Sequence, residues 1–138
     1  MKGRLLISLL LINIAFGLGQ AQSKAISELL RTYTNQGATA GNAEQGELLW
    51  QKKFSAAGEF SSRSCTSCHT KDLTQSGNHI KTNKTIEPMS PSVNSQRLTD
   101  IKKIEKWFKR NCKWTIGREC TSQEKTNILT YIENETRF

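Results

Sequence analysis

The chain has 138 residues, a length that suits one small domain and argues against two. Twenty lysines and arginines outweigh 12 aspartates and glutamates, giving a formal net charge of +8 that is moderately basic rather than extreme. A core of this size is limited, so the four cysteines are the first place to look for added stability.

Lys2 and Arg4 open the chain, an acid-free apolar run extends from Leu5 to about Leu18, and Gly19, Gln20 and Ala21 place small residues at the cleavage subsites. This is the three-part layout of a secretory signal peptide over residues 1–21, removed after Ala21. About 14 apolar residues fall short of the roughly 20 that a spanning helix needs, so no stable membrane insertion is expected once the leader is gone. The mature chain, residues 22–138, then carries +6, because Lys2 and Arg4 leave with the leader. A periplasmic location follows. Nucleic acid is not an expected partner there, and the charge serves solubility or docking onto an acidic protein surface.

In the mature chain, Ser23 is placed to cap a first helix in which Ile26, Leu29, Leu30 and Tyr33 recur at helical spacing, ending by about Asn35. Residues 36–41 hold two glycines among small residues and read as a linker, so residues 22–41 form an N-terminal helix and linker ahead of a domain over 42–138. Asn42 and Gln45 suit a cap for a second helix from about Ala43, with Leu48, Leu49, Trp50 and Phe54 turned inward. Residues 55–64 break into small and polar types, and residues 70–94, with Pro88 and Pro91 around Met89, read as an irregular but ordered loop. Thr99 caps a third helix whose stripe is Ile101, Ile104, Trp107 and Phe108, ending near Asn111. Thr121 to Glu124 matches a capping box before a last helix carrying Ile128, Leu129 and Ile132. No repeat, heptad run or convincing strand is present, so the class is all-α.

Cys65-Thr66-Ser67-Cys68-His69 is C-x-x-C-H, the pattern that attaches haem c. Two thiols three positions apart add to the two vinyl groups of one porphyrin, and the histidine that follows reaches the iron from one face. A redox dithiol or half of a zinc site is the competing reading, but Cys112 and Cys120 are eight apart and lack zinc-knuckle spacing. With Cys65 and Cys68 taken as thioethers, a Cys112–Cys120 disulfide is the one pairing that leaves haem attachment intact. Three residues compete for the second axial position: Met89 in its proline-flanked loop, Asn111 directly before Cys112, and His79. Methionine raises the reduction potential and makes an electron carrier, a second histidine makes a low-potential site, and His79 among Gly77, Asn78 and Lys81 also suits a solvated loop position.

Further segments carry a resemblance. Residues 86–94 (IEPMSPSVN), 97–100 (RLTD), 105–112 (EKWFKRNC) and 116–125 (IGRECTSQEK), following CTSCH and residues 42–50 (NAEQGELLW), resemble the sphaeroides haem protein family over most of the mature chain. The resemblance implies a small class I cytochrome c-like fold around one covalent haem, with an extra N-terminal helix and with the second and last helices crossing near the haem edge. It also implies that the iron is held by His69 and by the amide oxygen of Asn111, beside a Cys112–Cys120 disulfide. In that family the asparagine is lost on reduction, leaving a face open to dioxygen, nitric oxide or carbon monoxide. A dihaem c-type or membrane b-type cytochrome is then the expected electron donor. The alternative is a conventional His/Met electron carrier with Met89 as sixth ligand. Lys102, Lys103, Lys106, Lys109, Arg110 and Lys113 cluster around Asn111 and offer a positive surface for an acidic partner. No distal acid or base is evident, His79 being the only histidine besides His69, so electron transfer and gas binding are expected rather than turnover.

Overall fold

A computed structural model of the chain describes residues 24–55 and 57–135. The expected leader, its cleavage after Ala21 and the cap at Ser23 lie outside those residues.

Helix α1 spans residues 24–35 and buries Ala25, Ile26, Leu29 and Tyr33. Gly37, with φ of 96°, ends it. The amides of Ala38 and Gly37 donate to the carbonyls of Tyr33 and Thr34, both at 2.9 Å, which satisfies two carbonyls the helix would otherwise leave open. Ala38 folds back beside Tyr33 in the core. The segment read as a linker is therefore pinned rather than loose. The Thr39 amide and hydroxyl donate to Gln123 Oε1 at 2.7 and 2.8 Å, and the Asn42 amide donates to Asn127 Oδ1 at 3.0 Å.

Helix α2, Ala43–Gln51, begins where Asn42 Oδ1 accepts the Gln45 amide at 2.9 Å. It packs across the C-terminal helix, and its buried line is Gly46 and Trp50, one turn apart. Leu48, expected inside, is 58% exposed. Two residues on from Gly46 is roughly 200° around the helix, so a face that closes on a glycine turns Leu48 away. The crossing is tight: a methyl group on Gly46 would overlap the Asn127 carbonyl oxygen and stand 2.7 Å from Tyr131 Cβ. Gly46→Ala should therefore destabilise the protein by about 3 kcal/mol in chemical denaturation, despite alanine's higher helix propensity.

Two short antiparallel hairpins occupy stretches that the sequence marks as irregular, except that Phe54, expected on the inner face of the second helix, lies beyond its end at Gln51 and opens the first hairpin. β1, Phe54–Ser55, pairs with β2, Ser62–Arg63, and β3, Gly77–Asn78, pairs with β4, Thr85–Ile86. Strands of two residues are too short to show the alternation that betrays a strand in sequence. Helix α3, Ile101–Thr115, is capped by Asp100, whose side chain accepts the Lys103 amide at 3.0 Å, one residue beyond the expected Thr99. Just before it, the buried Leu98 adopts a left-handed backbone, φ 59°, that costs a side-chain-bearing residue about 1–2 kcal/mol. The helix also runs a full turn past its expected end at Asn111. Asparagine is a weak helix former but not a breaker, and the chain first turns out at Gly117, φ 87°. Ile104 is buried, Ile101 and Phe108 pack partly on the core, and Trp107 is 42% exposed.

Helix α4, Ser122–Asn134, opens with the expected capping box, Thr121 Oγ1 accepting the Glu124 amide at 3.1 Å and Glu124 Oε2 accepting the Thr121 amide at 2.8 Å. Ile128, Leu129, Tyr131 and Ile132 fill the centre of the core with Ile26, Leu29, Trp50, Leu73 and Leu98. One polar node ties three helices together. The Tyr33 hydroxyl donates to Glu105 Oε1, and Lys125 Nζ lies 2.8 Å from Glu105 Oε2 and 5.1 Å from the centre of the Tyr33 ring. Burial, with Glu105 as acceptor, pushes the Tyr33 phenol well above its ordinary range. Tyr33→Phe should cost about 1–2 kcal/mol of unfolding free energy, read as a shift in the urea midpoint, because the carboxylate keeps Lys125.

Candidate functional site

Cys65, Cys68 and His69 share one turn. Strand β2 leads into buried Ser64, whose amide donates to Ser67 Oγ at 3.0 Å, and Cys65–Ser67 winds as a 3₁₀ turn. The His69 amide then closes onto the Cys65 carbonyl at 2.9 Å. The turn thus keeps two thiols and a donor imidazole within five consecutive residues, as attachment to one group requires. Burial pushes the Cys65 thiol up to about 12. Burial first, and the Arg97 cation second, bring His69 down to about 4, so its ring is neutral near pH 7 and has a nitrogen lone pair to give. The Trp50 ring packs 5.2 Å from the His69 ring, centre to centre, while its indole N–H donates to the Thr70 carbonyl at 3.1 Å. Tyr131 stands behind Trp50 at 6.2 Å. The α2/α4 crossing thus fixes the histidine.

The loop beyond the motif closes against it. Gly77 lies so near that a methyl group there would overlap the Cys68 carbonyl oxygen. The carbonyl of fully buried Leu73 accepts the Ser90 amide at 2.8 Å, which sets Met89 partly buried against the core. Arg97 clasps the same loop, donating from Nε to the Pro88 carbonyl at 2.7 Å and from its terminal nitrogen to the Glu87 carbonyl. Burial lowers its pKa. His79 is exposed, and its Nδ1 accepts the amides of Lys81 and Thr82 at 3.3 Å, so it shapes the turn between β3 and β4.

Asn111 stands on α3, exposed, and among the described residues its side-chain amide makes no hydrogen bond. The next residue, Cys112, is bridged to Cys120 with S–S of 2.03 Å and Cα atoms 5.6 Å apart. Cys65 and Cys68 remain as the free thiols. The motif residues come together in one turn, whereas Asn111, Met89 and His79 sit on three separate segments.

A family model described as a domain of unknown function, DUF1924, matches residues 36–132. The cytochrome c-type protein SHP of Cereibacter sphaeroides is 34% identical over 124 residues, 90% of this chain and 95% of that one. The chain belongs to the sphaeroides haem protein family of c-type cytochromes. The solved structure of oxidised SHP, an oxygen-binding cytochrome c, superposes with a TM-score of 0.69 at 38% identity, covering 78% of this chain and 94% of that one. A solution structure of cytochrome c'' from Methylophilus methylotrophus, concerned with the structural basis of haem-ligand detachment, gives 0.69 at 33% identity over 80% and 94%.

As a member of the sphaeroides haem protein family, the chain is a monohaem cytochrome that carries one covalently bound haem c in a helical, class I cytochrome c-like fold. The residues present fit that group: two free thiols and a neutral imidazole fall within one turn, and the other two cysteines are already bridged. No described helix is long and apolar enough to cross a membrane. Sequence reasoning missed Gly77 and Arg97. A glycine in a polar loop gives no sign of the backbone it will touch, and an arginine that binds carbonyls across a loop leaves no periodic trace.

Proposed function

We propose that this family member is an exported, periplasmic redox protein whose Asn111 is a ligand held only by the oxidised iron. In this reading Cys65 and Cys68 carry the thioethers and His69 is the proximal ligand. The haem would supply a one-electron iron couple and the capacity to bind a diatomic gas. Asn111 supplies the switch: a neutral amide oxygen is a hard, weak donor that suits Fe(III) better than Fe(II), so it lets go when an electron arrives. The observation that carries this is the placement of Asn111, an amide without partners among the described residues, directly before a disulfide-anchored cysteine on α3. The relatives support it, SHP being an oxygen-binding cytochrome c and cytochrome c'' one in which ligand detachment has been addressed.

The electron comes from a dihaem c-type or membrane b-type cytochrome with an acidic face. Lys102, Lys103, Lys106, Lys109 and Arg110 are all exposed on α3 ahead of Asn111 and form no ion pairs among the described residues, while Lys113 pairs with Glu119 at 3.2 Å. Such a face raises the encounter rate with a negative partner, and more so at low ionic strength. Optical spectra of the dithionite-reduced protein with and without carbon monoxide test the reading. A high-spin reduced spectrum that the gas converts supports it. A low-spin reduced spectrum indifferent to the gas, with a far-red band when oxidised, assigns the site to Met89 and an electron carrier instead.

A further inference from the structure

We infer that Arg63 is a positioning residue for Asn111, a clasp that fixes the last turn of α3 to the segment bearing the C-x-x-C-H turn. This rests on Asn111 being the redox-released ligand. Arg63 lies two residues before Cys65 and is paired with Phe54 across the β1–β2 hairpin. Its Nε donates to the Phe60 carbonyl at 2.9 Å, and a terminal nitrogen donates to the Trp114 carbonyl at 2.9 Å. Its guanidinium also lies over the Trp114 ring, 4.7 Å from the centre. Trp114 is in the last turn of α3, three residues after Asn111, where helix carbonyls lack intrahelical partners and a cation is favoured by the helix dipole.

The end of α3 is thus held at two points. Cys112–Cys120 ties it to the start of α4, and Arg63 ties it to the motif segment. Only the second links the asparagine to the stretch that carries Cys65, Cys68 and His69. A ligand as weak as an amide oxygen binds in proportion to how well it is placed beforehand, because any freedom of the helix end must be given up on binding. Arg63 removes that freedom. The planar fork is what allows one side chain to reach two carbonyls and stack on an indole at once, so lysine is a poor substitute despite its charge.

The test is imidazole binding to the oxidised, haem-loaded protein, where the added ligand must displace Asn111. Arg63→Lys and Arg63→Met should each bind imidazole about tenfold more tightly than the parent, the equivalent of one charged hydrogen bond lost from the asparagine-bound state. Both should leave the carbon monoxide affinity of the reduced protein unchanged. Tyr33→Phe, which loosens α1 against α3 elsewhere, lowers stability and leaves imidazole affinity alone. In an Asn111→Ala background the effect of Arg63→Lys should vanish. If it persists at full size, or if Arg63→Lys and Tyr33→Phe alter imidazole binding equally, Arg63 has only a structural role and the inference is overturned. If Asn111→Ala alone leaves the oxidised spectrum and imidazole affinity unaltered, the reading of Asn111 itself has failed, and the inference falls with it for that separate reason.

Discussion

Asn111→Ala will change the optical spectrum of the oxidised protein while leaving carbon monoxide binding to the reduced protein within about twofold. The asymmetry follows from a ligand bound in one oxidation state only: its removal raises the free energy of the oxidised form and leaves the reduced form as it was. A ferric-state preference of about 100-fold corresponds to a rise in midpoint potential of about 120 mV, since a tenfold change is 59 mV for one electron. Added imidazole or cyanide should bind the oxidised variant about 100-fold more tightly, having nothing to displace. Folding stability of the reduced protein should change by no more than about 0.5 kcal/mol, because the amide is exposed, has no hydrogen bond among the described residues, and sits in a helix that alanine favours. That last expectation separates a ligand from a structural residue. An unchanged oxidised spectrum in Asn111→Ala, with loss of the low-spin state in Met89→Ala, would instead place methionine on the iron.

How much of this was legible beforehand depended on which physical signal carried it. Helices came through wherever apolar residues recur at three and four, as at Ile26, Leu29 and Tyr33 or at Ile128, Leu129 and Ile132, and their starts came through where Asn42 and Thr121 cap. Packing that relies on the absence of a side chain did not. Gly46 decides which face of α2 meets α4, and hydrophobic periodicity, which finds Leu49 and Trp50, also turns Leu48 inward where the glycine turns it out. The end of α3 is not legible at Asn111, which only weakens a helix; the stop is Gly117, and the intervening turn is held by Cys112 and Arg63. The candidate site divides in the same manner. Its covalent half is a contiguous motif, C-x-x-C-H, whose spacing is already a geometric statement. Its distal half is assembled from residues far apart in the chain, and nothing local distinguishes Asn111 from Met89 or His79. The site's supports, Trp50 on His69, Gly77 on Cys68 and Arg97 on the Pro88 carbonyl, are tertiary contacts with no local signature.

Gly77→Ala should be among the most damaging single-methyl changes available to this chain. The added carbon would overlap the Cys68 carbonyl oxygen and stand 3.1 Å from the Cα of His69. Both are backbone atoms, so no rotamer change relieves the overlap, and one of two anchored segments must move. Strand β3 is held by its pairing with β4, Gly77 lying opposite Ile86. The motif turn is held by the His69 amide on Cys65 and by Trp50 against the imidazole. Overpacking of this kind costs about 3 kcal/mol, and here the displaced atoms belong to the residues that would present the thiols and the proximal ligand. Gly37 supplies the control. A methyl there meets nothing within 4 Å, but the backbone is left-handed at φ 96°, so Gly37→Ala should cost only the strain of that conformation, about 1–2 kcal/mol. Urea midpoints and the yield of covalently loaded protein, measured together, distinguish the two. Gly77→Ala should lose stability and most of its loading, whereas Gly37→Ala should lose stability alone. Equal loading in both variants would mean that β3 yields without disturbing the motif, and that Gly77 plays no part in holding the turn.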